Sequence, residues 1–380
     1  MHKIMFSAGE VSGDMHGANL ALALKKIEPD IRMFGFGGTM MQQAGVELAA
    51  DMAQYSVMGF YEVLLNLRRL VKLRNKLGAL MEREKPDVLV LIDYPDFNWR
   101  LASIANKLKI PVFSYIPPSA WAWRKGRAKK VAKMADMIAA IFPFEMAVYE
   151  KAGANIEFVG NPLVETVRAS MQKENAYKYF SIDGTKKNIL LLPGSRRQEI
   201  KSILPVMLKA AQLFATKNGN AVFHMVAAQN IEVQELHKMT LKYGLKINFH
   251  KDKLYDLMKI CDIAFATSGT VVLEAALMGL PSVVLYRMSR VTYYIAKMFV
   301  SVQFFSLPNI LAGKGIIPEL LQNKVTPENI VAAADSLIQN GRAKNNEMLE
   351  SIRYKLGKPG VSARTAELII KTADGRFTQA

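Results

Sequence analysis

The chain has 380 residues, 51% of them hydrophobic, enough for large cores and an expectation of two or three domains. Its single cysteine, Cys261, excludes an internal disulfide framework, fits a reducing compartment and reads as a small core residue. A formal charge of +17 calls for an acidic partner, which leaves nucleic acid, an anionic membrane surface or a phosphorylated substrate.

The first apolar stretch, Lys3–Ala8, is too short for a signal sequence and reads as a strand. Further short runs rich in β-branched residues follow at Met33–Gly38, Asp87–Ile92, Pro111–Ile116, Met137–Phe142 and Ile156–Gly160, with helical segments such as Gly17–Lys26 and Phe97–Lys109 between them. Continuous rather than alternating apolar runs mean strands buried on both faces, hence a parallel α/β sheet. The polar stretch 168–187, with the Asp183-Gly184 turn signal, reads as a linker. A second α/β series begins at Asn188–Pro193 and continues through Ala221–Ala227, Lys246–His250, Ile263–Thr267 and Ser282–Tyr286. Met298–Gly313, the longest uncharged apolar stretch, is shorter than a bilayer span, so no transmembrane helix is expected. The expected architecture is therefore two Rossmann-like, doubly wound parallel-sheet domains facing a cleft. Residues 1–167 form the first, residues 188–344 the second, and the amphipathic helices within 345–380 cap the structure and complete the first.

Ligands of open parallel sheets bind beyond the carboxyl ends of the strands, so the loops there carry the candidate chemistry. Gly9-Glu10-Val11-Ser12-Gly13-Asp14 follows the first strand, allows close backbone approach and offers helix amides to an anion or sugar hydroxyl; a tight turn capped by Ser12 or Asp14 is the alternative. In Leu91-Ile92-Asp93-Tyr94-Pro95-Asp96-Phe97-Asn98, Asp96 fits a helix N-cap, whereas Asp93, at the strand tip, is a general-base candidate. At Pro193-Gly194-Ser195-Arg196, Ser195 and Gln198 have capping-box spacing. Arg196 sits where a helix dipole repels a cation unless an anion is also bound, and is a diphosphate candidate; the alternative is a surface pair with Glu199. In Ser268-Gly269-Thr270 with Leu273-Glu274, amides and hydroxyls face phosphate, and Glu274, the only charge between Asp262 and Arg287, suits ribose hydroxyls; pairing with a distant arginine is the alternative. Neither first strand-to-helix loop reads G-x-G-x-x-G, which disfavours a nicotinamide dehydrogenase. These loops describe a nucleotide-diphosphate site on the second domain and an acidic base on the first.

These motifs, with Ser56-Val57-Met58-Gly59, Pro118-Ser119-Ala120-Trp121-Ala122-Trp123-Arg124, Phe142-Pro143-Phe144-Glu145 and Ser306-Leu307-Pro308-Asn309-Ile310-Leu311-Ala312-Gly313, occur in an order that resembles the lipid A disaccharide synthases, inverting glycosyltransferases of the GT-B fold. The resemblance implies condensation of UDP-2,3-diacylglucosamine with 2,3-diacylglucosamine 1-phosphate to a β-1,6-linked tetraacyl disaccharide 1-phosphate and UDP. It places the base on Asp93, with Glu10 as a second catalytic carboxylate, and the diphosphate arginine on Arg196. Gly194, Ser195, Glu199, Ser268, Gly269, Thr270 and Glu274 complete the expected UDP site, and Ser12, Asp14, Asp96 and Asn309 serve the acceptor or support the fold. No cofactor is expected, and no cluster with metal-ligand spacing is visible, so the expected chemistry is metal-independent. Asn161 and Tyr94 depart from the family pattern, which has His in many members and a smaller residue respectively.

Acylated sugars as partners imply apolar surface near the site. Met58–Met81 carries a helical stripe that includes Phe60, Leu64 and Leu67, flanked by Arg68, Arg69 and Lys72; it can lie in an anionic interface or face a core. Arg124–Lys133 holds six basic residues and no acid beside Trp121 and Trp123; Arg124, Lys129 and Lys130 there suit lipid headgroups or a solvated helix face. The expected location is cytoplasmic, peripheral to the inner face of the bacterial inner membrane. Nucleic acid is disfavoured because no motif for it is present, and the oligomeric state is left open.

Overall fold

The computed structural model describes residues 1–55, 62–118, 126–228, 231–288, 293 and 303–375; within them, side chains 62–67, 342–346 and 348 are not described. The chain divides into two compact units, Met1–Pro162 with Leu356–Ala380, and Leu163–Lys355.

In the first unit, β1 (Lys3–Ala8), β2 (Arg32–Gly37), β3 (Glu47–Asp51), β4 (Val88–Ile92), β5 (Val112–Tyr115), β6 (Met137–Ala140) and β7 (Ile156–Phe158) form a seven-stranded parallel sheet in the order β3-β2-β1-β4-β5-β6-β7. Every residue of β4 is buried, as its unbroken apolar run requires of a strand covered on both faces. Leu73, Leu77 and Met81 of the helix Glu62–Glu84 and Phe97 and Leu101 of the helix Pro95–Lys107 pack in one core on this sheet. The helix Val361–Ala373 packs against Val11–Ile27, and Arg364 pins it by donating to Val159 O at 2.8 and 3.0 Å. The chain's end therefore completes the first unit from Leu356 rather than from 345.

In the second unit, β8 (Lys187–Leu192), β9 (Ala221–Val226), β10 (Ile247–His250), β11 (Ile263–Thr267), β12 (Ser282–Tyr286) and β13 (Glu319–Leu321) form a six-stranded parallel sheet ordered β10-β9-β8-β11-β12-β13. The helix Arg197–Lys217 supplies Ile200, Ile203, Leu204, Met207 and Phe214 to its core, and Cys261 is buried.

Each sheet reverses strand order between its first and fourth strands, β1/β4 and β8/β11, which is where an open α/β sheet receives a ligand. The stretch 168–187 is no linker. Buried Asp256 accepts from the Ser170 and Met171 amides at 2.7 Å and from Ser170 Oγ at 2.8 Å, and the helix Lys173–Phe180 lies on the helix Leu254–Ile260. Its polarity conceals this docking because the anchoring carboxylate comes from a distant part of the chain.

Candidate functional site

At the β1/β4 switch point, the helix Val11–Ile27 begins directly after Gly9 and Glu10, six residues earlier than the apolar pattern suggests. Glu10 occupies its N-cap position and Ser12 its exposed first turn, with no side-chain cap. Buried Asp14 instead accepts from the Gly38, Met40 and Met41 amides at 2.8, 3.0 and 3.0 Å, closing the N-terminus of the next helix, Thr39–Gln43. The expected local cap at Ser12 or Asp14 is thus a tertiary one, and Asp14 supports the fold. A Cβ on Gly9 would lie 2.3 Å from the Tyr94 ring, so only glycine lets that ring settle over the loop.

Asp93 and Tyr94 are consecutive non-glycine residues in the left-handed region, at φ 47° and 50°, which costs about 1–3 kcal/mol each unless the surroundings impose it. Asn98 imposes it. Its Nδ2 donates to Asp93 O at 2.6 Å, its Oδ1 accepts from Ser7 Oγ at 2.6 Å, and the side chain is 1% exposed. The clamp ties the ends of β1 and β4 together. Burial pushes the Asp93 carboxyl above the ordinary carboxylate value, opposed by the Tyr94 N–H that donates to it. Tyr94 feels the charges of Glu10 and Asp96, which places all of these groups about one loop cluster.

Asp96 is not the N-cap. Tyr94 holds that position, Pro95 starts the helix, and Asp96 lies exposed in its first turn; proline is favoured at the first helical position, where its missing N–H costs nothing, and the helix starts two residues earlier than an Asp96 cap implies. Nearby, His16 meets Tyr115 edge-on at 6.1 Å, and burial lowers its pKa to about 4, so it is neutral at physiological pH. Sequence reasoning passed over both Asn98 and His16; Asn98 is legible only as a polar residue one turn into an amphipathic helix.

At the β8/β11 switch point, Gly194 takes φ 108°, and a Cβ there would come within 3.0 Å of Glu199 Oε2. Arg196, not Ser195, is the N-cap residue of Arg197–Lys217; after the left-handed turn at Gly194 the helix starts one residue later than the Ser195/Gln198 spacing implies. The Arg196 side chain is 83% exposed and donates to Glu199 Oε1 at 3.2 Å. After β11, Ser268 N donates to Leu285 O, and the exposed Gly269 and Thr270 open the helix Thr270–Leu277 without a side-chain cap. Thr267 Oγ1, at the tip of β11, is buried and has no hydrogen-bond partner among the described residues.

Burial raises the Glu274 carboxyl, and the Tyr255 hydroxyl that donates to it lowers it in turn; Tyr255 itself is pushed up to about 12, first by burial. Tyr255, not a distant arginine, is therefore the partner of Glu274, brought in by the neighbouring helix. Asn309 acts as fold support: Oδ1 accepts from Ile316 and Ile317 at 2.8 and 3.0 Å, and Nδ2 donates to Ile317 O and Glu319 Oε1.

Met58, Phe60, Trp121, Trp123 and Arg124, and the side chains of Leu64 and Leu67, lie outside the described residues. From residue 70 onward the Met58–Met81 stripe faces the core, with Leu77 fully buried, while Arg68, Arg69 and Lys72 are exposed, as are Lys129 and Lys130 on the helix Gly126–Ala132. Among the described residues no helix is long and apolar enough to cross a membrane.

Two parallel, doubly wound sheets in one chain, each with glycine-, hydroxyl- and charge-bearing loops at its own switch point, define an α/β protein of the GT-B type. Solved structures with this fold include the UDP-GlcNAc 2-epimerase from Neisseria meningitidis bound to UDP-GlcNAc (TM-score 0.65, 15% identity, 97% of this chain and 99% of that one) and Acinetobacter baumannii MurG (TM-score 0.61, 14% identity, 98% and 100%). The family model for lipid-A-disaccharide synthetase matches residues 4–372, and the lipid-A-disaccharide synthase of Geobacter metallireducens is 38% identical over 371 residues, 97% of each chain. The chain belongs to the lipid-A-disaccharide synthase family, glycosyltransferases of lipid A biosynthesis.

Proposed function

We propose that the protein transfers 2,3-diacylglucosamine from UDP to the 6-hydroxyl of 2,3-diacylglucosamine 1-phosphate with inversion, forming the β-1,6-linked tetraacyl disaccharide 1-phosphate. Asp93 is the general base. Attack on the anomeric carbon breaks its bond to UDP while the acceptor hydroxyl proton passes to the Asp93 carboxylate. The observation that carries this reading is a half-buried carboxyl of raised pKa, held in left-handed backbone at a switch point by the Asn98 clamp. Such a group is held toward neutral pH, where a general base works best. Glu10, beside Tyr94, stands in the same loop cluster as a second carboxylate for the acceptor.

UDP belongs to the second unit. The β-phosphate gains charge as the bond breaks, and the amides opening Thr270–Leu277 together with the Arg196 guanidinium stabilise it. Arg196 reaches the diphosphate by leaving Glu199, a surface pair worth about 0–1 kcal/mol. An incoming phosphate oxygen supplies the partner that Thr267 Oγ1 lacks. Glu274, steadied by Tyr255, accepts from ribose hydroxyls. The exposed basic side chains of the first unit hold the enzyme at the inner face of the inner membrane, where acylated substrates reside.

Asp93→Asn should lower kcat by about 10²–10⁴-fold with little change in the KM for the UDP-sugar; full activity would remove Asp93 as base. Incubation with UDP-N-acetylglucosamine alone sets this reading against a 2-epimerase, and epimerised sugar with UDP release would overturn the transferase.

A further inference from the structure

On the helix Pro95–Lys107, Phe97, Leu101 and Ala105 are buried in the core, Trp99 packs half-buried against the edge of that core, and Asp96, Arg100, Ser103 and Lys107 continue from it as a stripe at helical spacing. The stripe runs for roughly 16 Å at ~1.5 Å per residue. It floors a groove of about 1180 Å³ walled by Arg74 of Glu62–Glu84 and by Arg127 and Lys130 on and beside Gly126–Ala132. Five basic side chains line it against one acid, Asp96. Arg127 Cζ lies 5.6 Å and Lys130 Nζ 4.9 Å from the centre of the same Trp99 ring. No ion pair neutralises Arg100, Lys107 or Lys130 among the described residues.

Gathering cations on one indole costs mutual repulsion, which an anion between them would relieve. Guanidinium groups offer paired donors that match phosphate oxygens. A half-buried tryptophan at the floor of an open basic groove suits the headgroup level of a bilayer, where indole rings concentrate. Arg74 continues the helix whose preceding turns expose Arg68, Arg69 and Lys72. We propose that this groove is a binding site for the phosphate headgroup of an anionic bilayer phospholipid, centred on Trp99, Arg127 and Lys130. It rests on the proposed attachment to the inner membrane, and gives that attachment a specific site rather than a diffuse charged face.

The test is partition onto phosphatidylcholine vesicles with and without phosphatidylglycerol. The wild type is retained only with phosphatidylglycerol. Arg100→Gln/Lys107→Gln/Lys130→Gln, all at exposed positions, binds about 100-fold more weakly, at about five-fold per basic side chain, with its thermal melting unchanged. In a Trp121→Phe/Trp123→Phe background, phosphatidylglycerol brominated near its headgroup quenches Trp99 fluorescence.

If the wild type ignores phosphatidylglycerol vesicles, membrane attachment itself fails and the groove with it. Retention of the groove variant while Arg68→Gln/Arg69→Gln/Lys72→Gln is released keeps membrane attachment and overturns the groove. Absence of Trp99 quenching likewise overturns it. A raised acceptor KM in neutral detergent micelles, with vesicle retention intact, reassigns the groove to the substrate's own phosphate and overturns the headgroup assignment.

Discussion

Replacing Asn98 by alanine should separate the scaffold of the first unit from its chemistry. The substitution removes two short hydrogen bonds, Asn98 Nδ2 to Asp93 O and Ser7 Oγ to Asn98 Oδ1, each 2.6 Å. At about 1 kcal/mol net for each, plus about 1 kcal/mol or more for leaving the fully buried Ser7 hydroxyl without a partner, the loss is on the order of 3 kcal/mol. That corresponds to about 6–12 °C in the melting of a unit of this size.

Freed from the clamp, Asp93 and Tyr94 can leave their left-handed conformation, and the base loses its position. Turnover should fall by about 10–100-fold, part of the ~10²–10⁴ that a general base contributes, while the KM for the UDP-sugar should hold because the loops proposed to bind it belong to the other unit. A loosened loop also admits water, so the acidic limb of the kcat profile should move down toward the ordinary carboxylate value. Differential scanning calorimetry and steady-state assays across pH read both effects. A destabilised variant with unchanged kcat and an unmoved acidic limb would reduce Asn98 to a structural brace and refute the positioning argument.

Gly194→Ala should destabilise the second unit by about 1–3 kcal/mol, since φ 108° disfavours any side chain and the new Cβ presses on Glu199; calorimetric titration with UDP should show weaker binding, and a variant of wild-type stability and affinity would refute the strain. Arg196→Ala should leave melting within about 0.5 kcal/mol, because the side chain is exposed, yet lower kcat/KM by about 10²–10³-fold through loss of charge stabilisation; full activity would return Arg196 to a plain surface pair. Acid should weaken the second unit through His224, fully buried between Asn188 Oδ1 at 3.1 Å and His250 at 3.2 Å. Burial, and then His250, depress its pKa from 6.5 to about 4. The unfolded chain therefore takes up the proton first, and stability present above pH 6.5 is lost as pH falls toward about 4, by on the order of 3 kcal/mol. Urea midpoints across that range, flattened in His224→Asn, check it, and a pH-independent wild type would refute it.

The continuous apolar runs, Val88–Ile92 and residues 263–266 of Ile263–Thr267, were legible as strands because a strand buried on both faces has no polar side to show. The parallel α/β class followed from their alternation with helices, and the candidate site followed from the class, since Asp93, Gly194 and Ser268–Thr270 all come directly after such strands. The short strands Glu47–Asp51 and Glu319–Leu321 left no such mark, for neither is buried throughout. Strand order, the place of residues 168–187 and the partners of the carboxylates were settled by tertiary contact alone. Asp14 caps a helix that starts 25 residues further on, Ser7 grips Asn98 across 91 positions and Ser170 rests on Asp256 across 86. Local pattern records what each residue must bury. Which donor meets which acceptor depends on chain segments that only folding brings within hydrogen-bond reach.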